Sequence, residues 1–167
     1  SILKDLPDPT DFENRVVKQS TKIFDRTGQV LLYEIHGEER RTVIKFEEIP
    51  TVVKSATLAA EDANFYQHPA FDLKAIIRAL VNNALRGEDG AIQGGSTITQ
   101  QLVKNSFLKP ERTLRRKIRE LILAVRFEQK YTKDQVLAFY LNQIPYGSNA
   151  YGIEAASQTF FTKPAKD

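Results

Sequence analysis

The chain has 167 residues, a length that fits one domain or one domain with an appendage. Hydrophobic residues make up 41% and charged residues 27%, which favours a packed core over general disorder. The formal charge is +3 and there is no cysteine, so disulfides, thiolate metal sites and cysteine nucleophiles are excluded. The longest aliphatic run, Leu121 to Val125, is far shorter than the ~18 residues that a membrane span needs.

The first fifty residues predict a β-containing arm. Two strand-like runs, Thr21–Phe24 and Gln29–Ile35, flank a turn in which Gly28 can adopt the positive φ of a hairpin. Arg41–Phe46 adds a third short strand ahead of Pro50. We expect residues 1–50 to form an arm that leads to a membrane anchor outside the chain.

From Thr51 onward the pattern predicts a mainly α domain over residues 51–167. A loop with four glycines interrupts it at residues 87–95. The predicted helices are Thr51–Glu61, Asp72–Arg86, Ile98–Phe107, Glu111–Lys130, a helix capped by Thr132 that ends at Asn142, and Ile153–Phe161.

The helix predicted at Glu111–Lys130 combines an apolar stripe with a cluster of cations. The stripe consists of Leu114, Ile118, Leu121, Ile122 and Val125, and the residues predicted on the opposite, solvated side are Arg112, Arg116, Arg119 and Glu120. The window from Lys104 to Arg119 holds seven cations and one acid, a net charge of +6. Such a cluster indicates an anionic partner: phosphate, nucleic acid or acidic lipid.

Two glutamates are candidates for chemistry. Glu61 ends a helix of small and apolar residues, so we expect partial desolvation, a condition that suits a general acid or base. The alternative is a solvent-facing helix-end acid. Glu120 lies four residues after Arg116 and three after Lys117, and surface ion pairs of ~0.3–0.5 kcal/mol explain this spacing adequately. The excess of cations around one acid, which such pairing does not require, favours a bound anion instead.

Gly94-Gly95-Ser96-Thr97 opens a predicted helix and is followed by Gln100, Gln101 and Lys104. Free N–H groups, a positive helix end and two hydroxyls suit an anion, although an ordinary capped loop has the same composition. The only histidines, His36 and His68, are far apart, so a histidine metal site is not expected. A structural hydrogen bond in the loop after Glu61 is the expected role of His68.

These segments together resemble a known family. Glu61-Asp62-Ala63-Asn64-Phe65-Tyr66-Gln67-His68 is similar to the Glu-Asp-x-x-Phe-x-x-His signature of the peptidoglycan glycosyltransferases, as found in class A penicillin-binding proteins. Four further segments resemble the family's remaining signatures in the same order: Gly94 to Gln101, Arg116-Lys117-x-x-Glu120, Lys133 to Asn142, and Gly152 to Lys163. The agreement covers roughly Ile49–Lys163.

The resemblance implies a lysozyme-like, mainly α fold and an enzyme that polymerises lipid II into β-1,4 glycan with inversion. It implies that Glu61 is the general base and that Glu120 orients cations or holds a divalent ion such as Mg²⁺ or Mn²⁺. It further implies that sugar or diphosphate binds to Lys104, Arg112, Arg116, Lys117, Ser96, Thr97, Gln100, Gln101, Asp62, Phe65 and His68.

The same resemblance sets expectations for partners and location. The implied partners are lipid II, the growing glycan and the bacterial membrane, with no nucleic acid, and the parent protein is a candidate to carry a transpeptidase domain. The implied location is the outer face of the bacterial cytoplasmic membrane. Because the chain ends directly after the fifth signature, we expect a domain truncated at its C-terminus.

Three other interpretations remain open at this point. A lytic muramidase on the same fold would cleave glycan with one glutamic acid, but its substrate has no diphosphate to occupy the cation cluster. A module that binds nucleic acid or acidic membrane would need only that cluster. The early end of the chain also leaves open an interaction domain without catalytic activity.

Overall fold

The computed structural model describes residues 6–8, 12, 21–29, 31–35, 40–71, 95–111 and 113–167. In this part of the chain the α-helices are α1 (Thr51–Glu61), α2 (Ile98–Phe107), α3 (Leu114–Lys130), α4 (Lys133–Gln143) and α5 (Ile153–Phe161). Helix α2 packs against both α3 and α4. The predicted mainly α architecture is confirmed. The helix predicted at Asp72–Arg86 and most of the glycine-rich loop lie outside the described residues.

The predicted hairpin in the arm is confirmed. Strands β1 (Thr21–Phe24) and β2 (Leu31–Ile35) pair antiparallel. Gly28 has a φ of +72° in the turn between them, and the Asp25 carboxylate accepts hydrogen bonds from Thr27 and from the Gln29 amide. The turn residues therefore fix the register of the hairpin, as their sequence predicts.

A second small sheet joins the arm to the end of the helical region. Strand β3 (Arg40–Arg41) pairs parallel with β5 (Ala150–Tyr151), which pairs antiparallel with β4 (Pro145–Gly147). The strand predicted at Arg41–Phe46 is wrong beyond Arg41, since Phe46–Glu48 forms a 3₁₀ turn. Strands β4 and β5 are too short to show an alternating pattern, and β5 also pairs with β3, more than a hundred positions earlier in the chain.

The hydrophobic core lies among α2, α3 and α4, and the arm contributes to it. Phe12 is buried, with its ring centroid 5.1 Å from that of Phe127 and 4.8 Å from that of Phe139. Ile49, directly before α1, is also buried. The domain boundary at residue 50 stays a prediction. Among the described residues, no helix has the length and apolar character needed to cross a bilayer.

Helix α3 begins at Leu114 rather than at the predicted Glu111, because the Thr113 hydroxyl caps it by accepting a 3.1 Å hydrogen bond from the Arg116 amide. The predicted orientation of this helix holds for Val125, which packs against the core, but it is wrong at Leu114 and Glu120. Leu114, in the predicted apolar stripe, is 77% exposed, whereas the residues of α3 that are buried are Glu120, Leu123, Ala124 and Phe127. The face that carries Glu120 therefore points into the protein.

Asn142, near the end of α4, connects that helix to the chain just before α1. Its side-chain oxygen accepts from the Ile44 amide and its nitrogen donates to the Ile44 carbonyl, both at 3.0 Å. The same nitrogen donates to the Ala138 carbonyl at 2.9 Å. One buried amide thus satisfies three backbone groups and holds the entrance to α1 against α4.

Candidate active site

Glu61 is the last residue of α1 and its side chain is exposed. The expected partial desolvation is therefore wrong, because α1 buries none of its residues. The Gln101 side-chain nitrogen, on α2, donates a 2.9 Å hydrogen bond to Glu61 Oε2. The carboxylate is thus held at one oxygen and remains accessible, so a substrate hydroxyl can come within hydrogen-bond reach of it.

The loop after Glu61 is fastened to the start of α2. Asp62 Oδ2 accepts from the Ile98 amide at 3.1 Å, and its Oδ1 lies 2.6 Å from His68 Nε2. His68 Nδ1 lies 2.6 Å from the Pro69 carbonyl oxygen. The predicted structural hydrogen bond of His68 is confirmed. Phe65 in the same loop is buried, and the Lys133 ammonium lies 4.4 Å from its ring centroid.

Glu120 is only 1% exposed, so the surface ion pairs considered for it are wrong as a description of its environment. Its Oε2 accepts from Arg116 at 2.6 Å and its Oε1 accepts from the Lys117 ammonium. Lys117 also donates to Ser96 Oγ at 2.8 Å and to Gln100 Oε1 at 3.2 Å. Two partly exposed cations face one buried carboxylate, which leaves this cluster with a net positive charge.

The first turn of α2 connects the two glutamates. Gln100 contacts Lys117, which pairs with Glu120, and the adjacent Gln101 contacts Glu61. Thr97 caps the same turn, since its hydroxyl accepts from the Gln100 amide at 3.3 Å and donates to the Ala70 carbonyl at 2.8 Å. The sequence motif therefore brings together, through one helix turn, an exposed carboxylate and a cluster of cations.

The other predicted binding residues differ in their exposure and in their hydrogen-bond partners. Lys104 is partly exposed on α2, and the described residues provide it with no ion pair or hydrogen bond through its side chain. Thr97 and Gln100 are buried, and the Gln100 side-chain nitrogen has no hydrogen-bond partner in the described structure. Arg112 lies outside the described residues.

Two tyrosines beside Glu61 were not predicted as site residues. The Tyr140 hydroxyl, on α4, donates to Gln101 Oε1 at 3.1 Å. Burial, followed by the negative charge of Glu61, raises the pKa of Tyr146 to about 12. Burial and then the charge of Glu61 also raise the pKa of Tyr140 well above its ordinary value. Tyr140 lies within the signature at Lys133 to Asn142, which did not indicate its contact with Gln101, and Tyr146 lies outside all five signatures.

The structure does not support Glu120 as a metal ligand. Both of its oxygens accept from cationic side chains, and a divalent cation would have to displace those charges. Elsewhere in the described ranges, no group of three His, Asp or Glu side chains is arranged to hold a metal ion. These residues therefore do not fit Mg²⁺ or Mn²⁺, and no step below involves a metal.

The chain is similar to known proteins over most of its length. A family model described as Transglycosylase matches residues 28–167. The chain is 45% identical over 162 residues to penicillin-binding protein 1A of Aquifex aeolicus, covering 97% of this chain and 22% of that protein. It is 42% identical over 159 residues to penicillin-binding protein 1F of Bacillus subtilis, covering 94% and 21%. Penicillin-binding protein 1A of Escherichia coli is 42% identical over 158 residues, covering 95% and 18%.

The helical fold and the matched family model define a domain of a glycosyl-transferring enzyme. The chain belongs to the transglycosylase family, as its five ordered motifs predict. Its lysozyme-like fold class is confirmed with the family. The chain spans about a fifth of the length of the relatives described above.

Proposed function

We propose that this domain polymerises lipid II into β-1,4-linked glycan, with inversion at the anomeric carbon and release of undecaprenyl diphosphate. The observation that carries the proposal is the first turn of α2, where Gln101 contacts the exposed Glu61 and Gln100 contacts Lys117 of the cation cluster around the buried Glu120. The reaction requires a group that accepts a proton and cations that neutralise a leaving diphosphate. Two adjacent residues of α2 contact one candidate for each role.

Glu61 is the general base of the proposed reaction. Its solvent-accessible carboxylate takes the proton of the 4-hydroxyl on the acceptor GlcNAc, and that oxygen attacks the anomeric carbon of the donor MurNAc. The bond to the diphosphate breaks on the opposite face, so the configuration inverts, as in other displacements with one base and one leaving group. The hydrogen bond from Gln101 to Glu61 Oε2 holds the carboxylate while the proton moves.

The cations stabilise the leaving group. A diphosphate is already a weak base, so its departure depends on neutralisation of charge more than on protonation. Arg116 and Lys117 have a net positive charge after pairing with Glu120, which orients both of them from a buried position. Lys104 has no acidic partner among the described residues, so its charge is available to an anion. Arg112 belongs to the proposed binding set by its sequence position alone.

The proposal assigns roles to the remaining motif residues. Ser96 and Gln100 position Lys117, Thr97 caps α2, and Asp62 and His68 fix the loop that follows Glu61. We propose that Phe65 acts through the packing of that loop, because its side chain is buried. The substrate places the enzyme at the outer face of the bacterial cytoplasmic membrane. A membrane anchor and a transpeptidase domain in the parent protein belong to the same proposal.

The test is Glu61→Gln in the full-length protein that contains this sequence, with lipid II as substrate. We expect loss of glycan polymer with an unchanged unfolding transition, because the amide cannot take the proton. Glu111→Gln is the matched control, since Glu111 is an exposed acid outside the site. Near-normal polymer from folded Glu61→Gln would contradict the proposal. Release of soluble fragments from purified sacculi, with lipid II left intact, would favour the muramidase instead.

A further inference from the structure

Gln101 lies between two side chains of different helices. On one side its nitrogen donates to Glu61 Oε2 at 2.9 Å, and on the other its oxygen accepts from the Tyr140 hydroxyl at 3.1 Å. The three residues come from α2, α1 and α4 respectively. Their hydrogen bonds form one continuous chain that ends at the carboxylate proposed as the base.

The direction of this chain follows from the chemistry of its ends. An ionised carboxylate only accepts hydrogen bonds, so the amide must present its nitrogen to Glu61. The amide oxygen then faces Tyr140, and an amide oxygen also only accepts, so the tyrosine must donate. Rotation of the amide by half a turn would place two acceptors, Gln101 Oε1 and Glu61 Oε2, against each other.

Tyr140 is suited to remain a donor. Its side chain is 2% exposed, and its burial together with the charge of Glu61 raises the pKa of its hydroxyl, which keeps the proton on the oxygen across the neutral range. Because α4 packs directly against α2, the hydroxyl has a fixed position relative to Gln101. A rigid buried donor therefore selects one orientation of a partly exposed amide.

We propose that Tyr140 is a positioning residue for the reaction, and that its hydroxyl sets the orientation of the Gln101 amide that holds Glu61. This inference rests on the proposed role of Glu61 as the base. Tyr140 touches no reacting atom in this scheme, and its effect passes entirely through Gln101. Removal of the hydroxyl frees the amide to rotate, which leaves Glu61 without its fixed hydrogen bond for part of the time.

The experiment compares Tyr140→Phe with the unchanged protein in lipid II polymerisation. We expect kcat to fall about tenfold, the effect of one lost hydrogen bond, with KM changed by less than about twofold. The acidic limb of the pH–rate profile should move to higher pH, because the charged form of the carboxylate loses a hydrogen bond. Tyr66→Phe is the matched control, since it removes a tyrosine hydroxyl that donates to Asp134 at 2.7 Å instead. An unchanged kcat and pH profile in folded Tyr140→Phe would overturn the inference.

A double-mutant cycle tests whether the hydroxyl acts through the amide. In a Gln101→Ala background, Tyr140→Phe should cause no further loss of kcat, because its route to Glu61 is already absent. A full additional tenfold loss would show that Tyr140 acts by another route and would also overturn the inference. If Tyr140→Phe did not fold, Gln101→Leu would interrupt the same chain from α2, and it must produce the same shift of the pH profile.

One measurement does not depend on turnover. In ¹⁵N-labelled protein, the side-chain amide protons of Gln101 should exchange with solvent at least fivefold faster in Tyr140→Phe, since the amide is no longer held at both ends. Equal exchange rates in the two proteins would contradict the proposed orientation. If the unchanged protein did not polymerise lipid II but the exchange rates differed, the proposed function would fail while the hydrogen-bond chain would stand.

Discussion

Arg116 and Glu120 form a 2.6 Å ion pair on the buried face of α3, where the carboxylate is 1% exposed and the cationic side chain is 20% exposed. Burial of charge is costly unless it is paired and hydrogen-bonded. Here Lys117 supplies a second partner for Glu120 and is itself bonded to Ser96 and Gln100. The buried carboxylate therefore holds two cations in place, and one of them, Lys117, contacts the first turn of α2.

Glu120→Gln is expected to lower the free energy of unfolding by about 2 kcal/mol. The amide leaves two cations unpaired, and the loss is below the ~3–5 kcal/mol of a fully buried pair because the Lys117 side chain is one-third exposed. Urea denaturation measures the change. Glu111→Gln, which alters an exposed acid just before α3, should change the free energy of unfolding by less than about 0.5 kcal/mol. Equal effects of the two substitutions would contradict the described environment of Glu120.

Gly152, at the start of α5, adopts a φ of +83°, and an added Cβ would lie 2.5 Å from the Asn142 carbonyl oxygen. We expect Gly152→Ala to lower the free energy of unfolding by about 3 kcal/mol or more, since backbone strain and a steric overlap act together. Gly28→Ala is the control, because its φ of +72° is similar but no atom of the described residues lies within 4 Å of the added carbon. That change should cost only about 1 kcal/mol. Similar losses at both positions would show that contact with Asn142 is unimportant.

Tyr66 and Tyr146 are expected to ionise at a higher pH than a tyrosine of the unfolded chain. Partial desolvation first, and then the hydrogen bond to Asp134 and its charge, raise the pKa of Tyr66 to about 12, although about half of the residue is exposed. Burial and then the charge of Glu61 raise the pKa of Tyr146 to about 12 as well. An unfolded tyrosine ionises near pH ~10. Because the folded pKa is the higher one, this stabilisation is fully present below pH ~10 and is lost as the pH rises toward ~12.

Ultraviolet absorbance of tyrosinate measures this titration directly. The folded protein should retain a group of protonated tyrosines above pH ~10, whereas the denatured protein should ionise all six there. Tyr66→Phe should remove one residue from the late group. Ionisation of all tyrosines near pH ~10 in the folded protein would contradict the partial burial of Tyr146 and the hydrogen bond from Tyr66 to Asp134.

The sequence alone was sufficient where the signal is local. The bounds of α1, α2 and α5 were predicted to the residue, because apolar spacing and residues such as Thr97 act within one or two turns. The β1–β2 hairpin was predicted because Asp25 and Gly28 fix a turn within four residues. The order and spacing of five motifs likewise predicted the family to which the chain belongs.

Only the tertiary structure decided which side of α3 faces inward. Helical periodicity placed Leu114 in the core and Glu120 in solvent, and the structure reverses both. The physical reason is that pairing with Arg116 and Lys117 makes burial of Glu120 acceptable, and periodicity takes no account of such pairing. In the same way, the path from Tyr140 through Gln101 to Glu61 depends on three helices packing together, so no stretch of sequence could predict it.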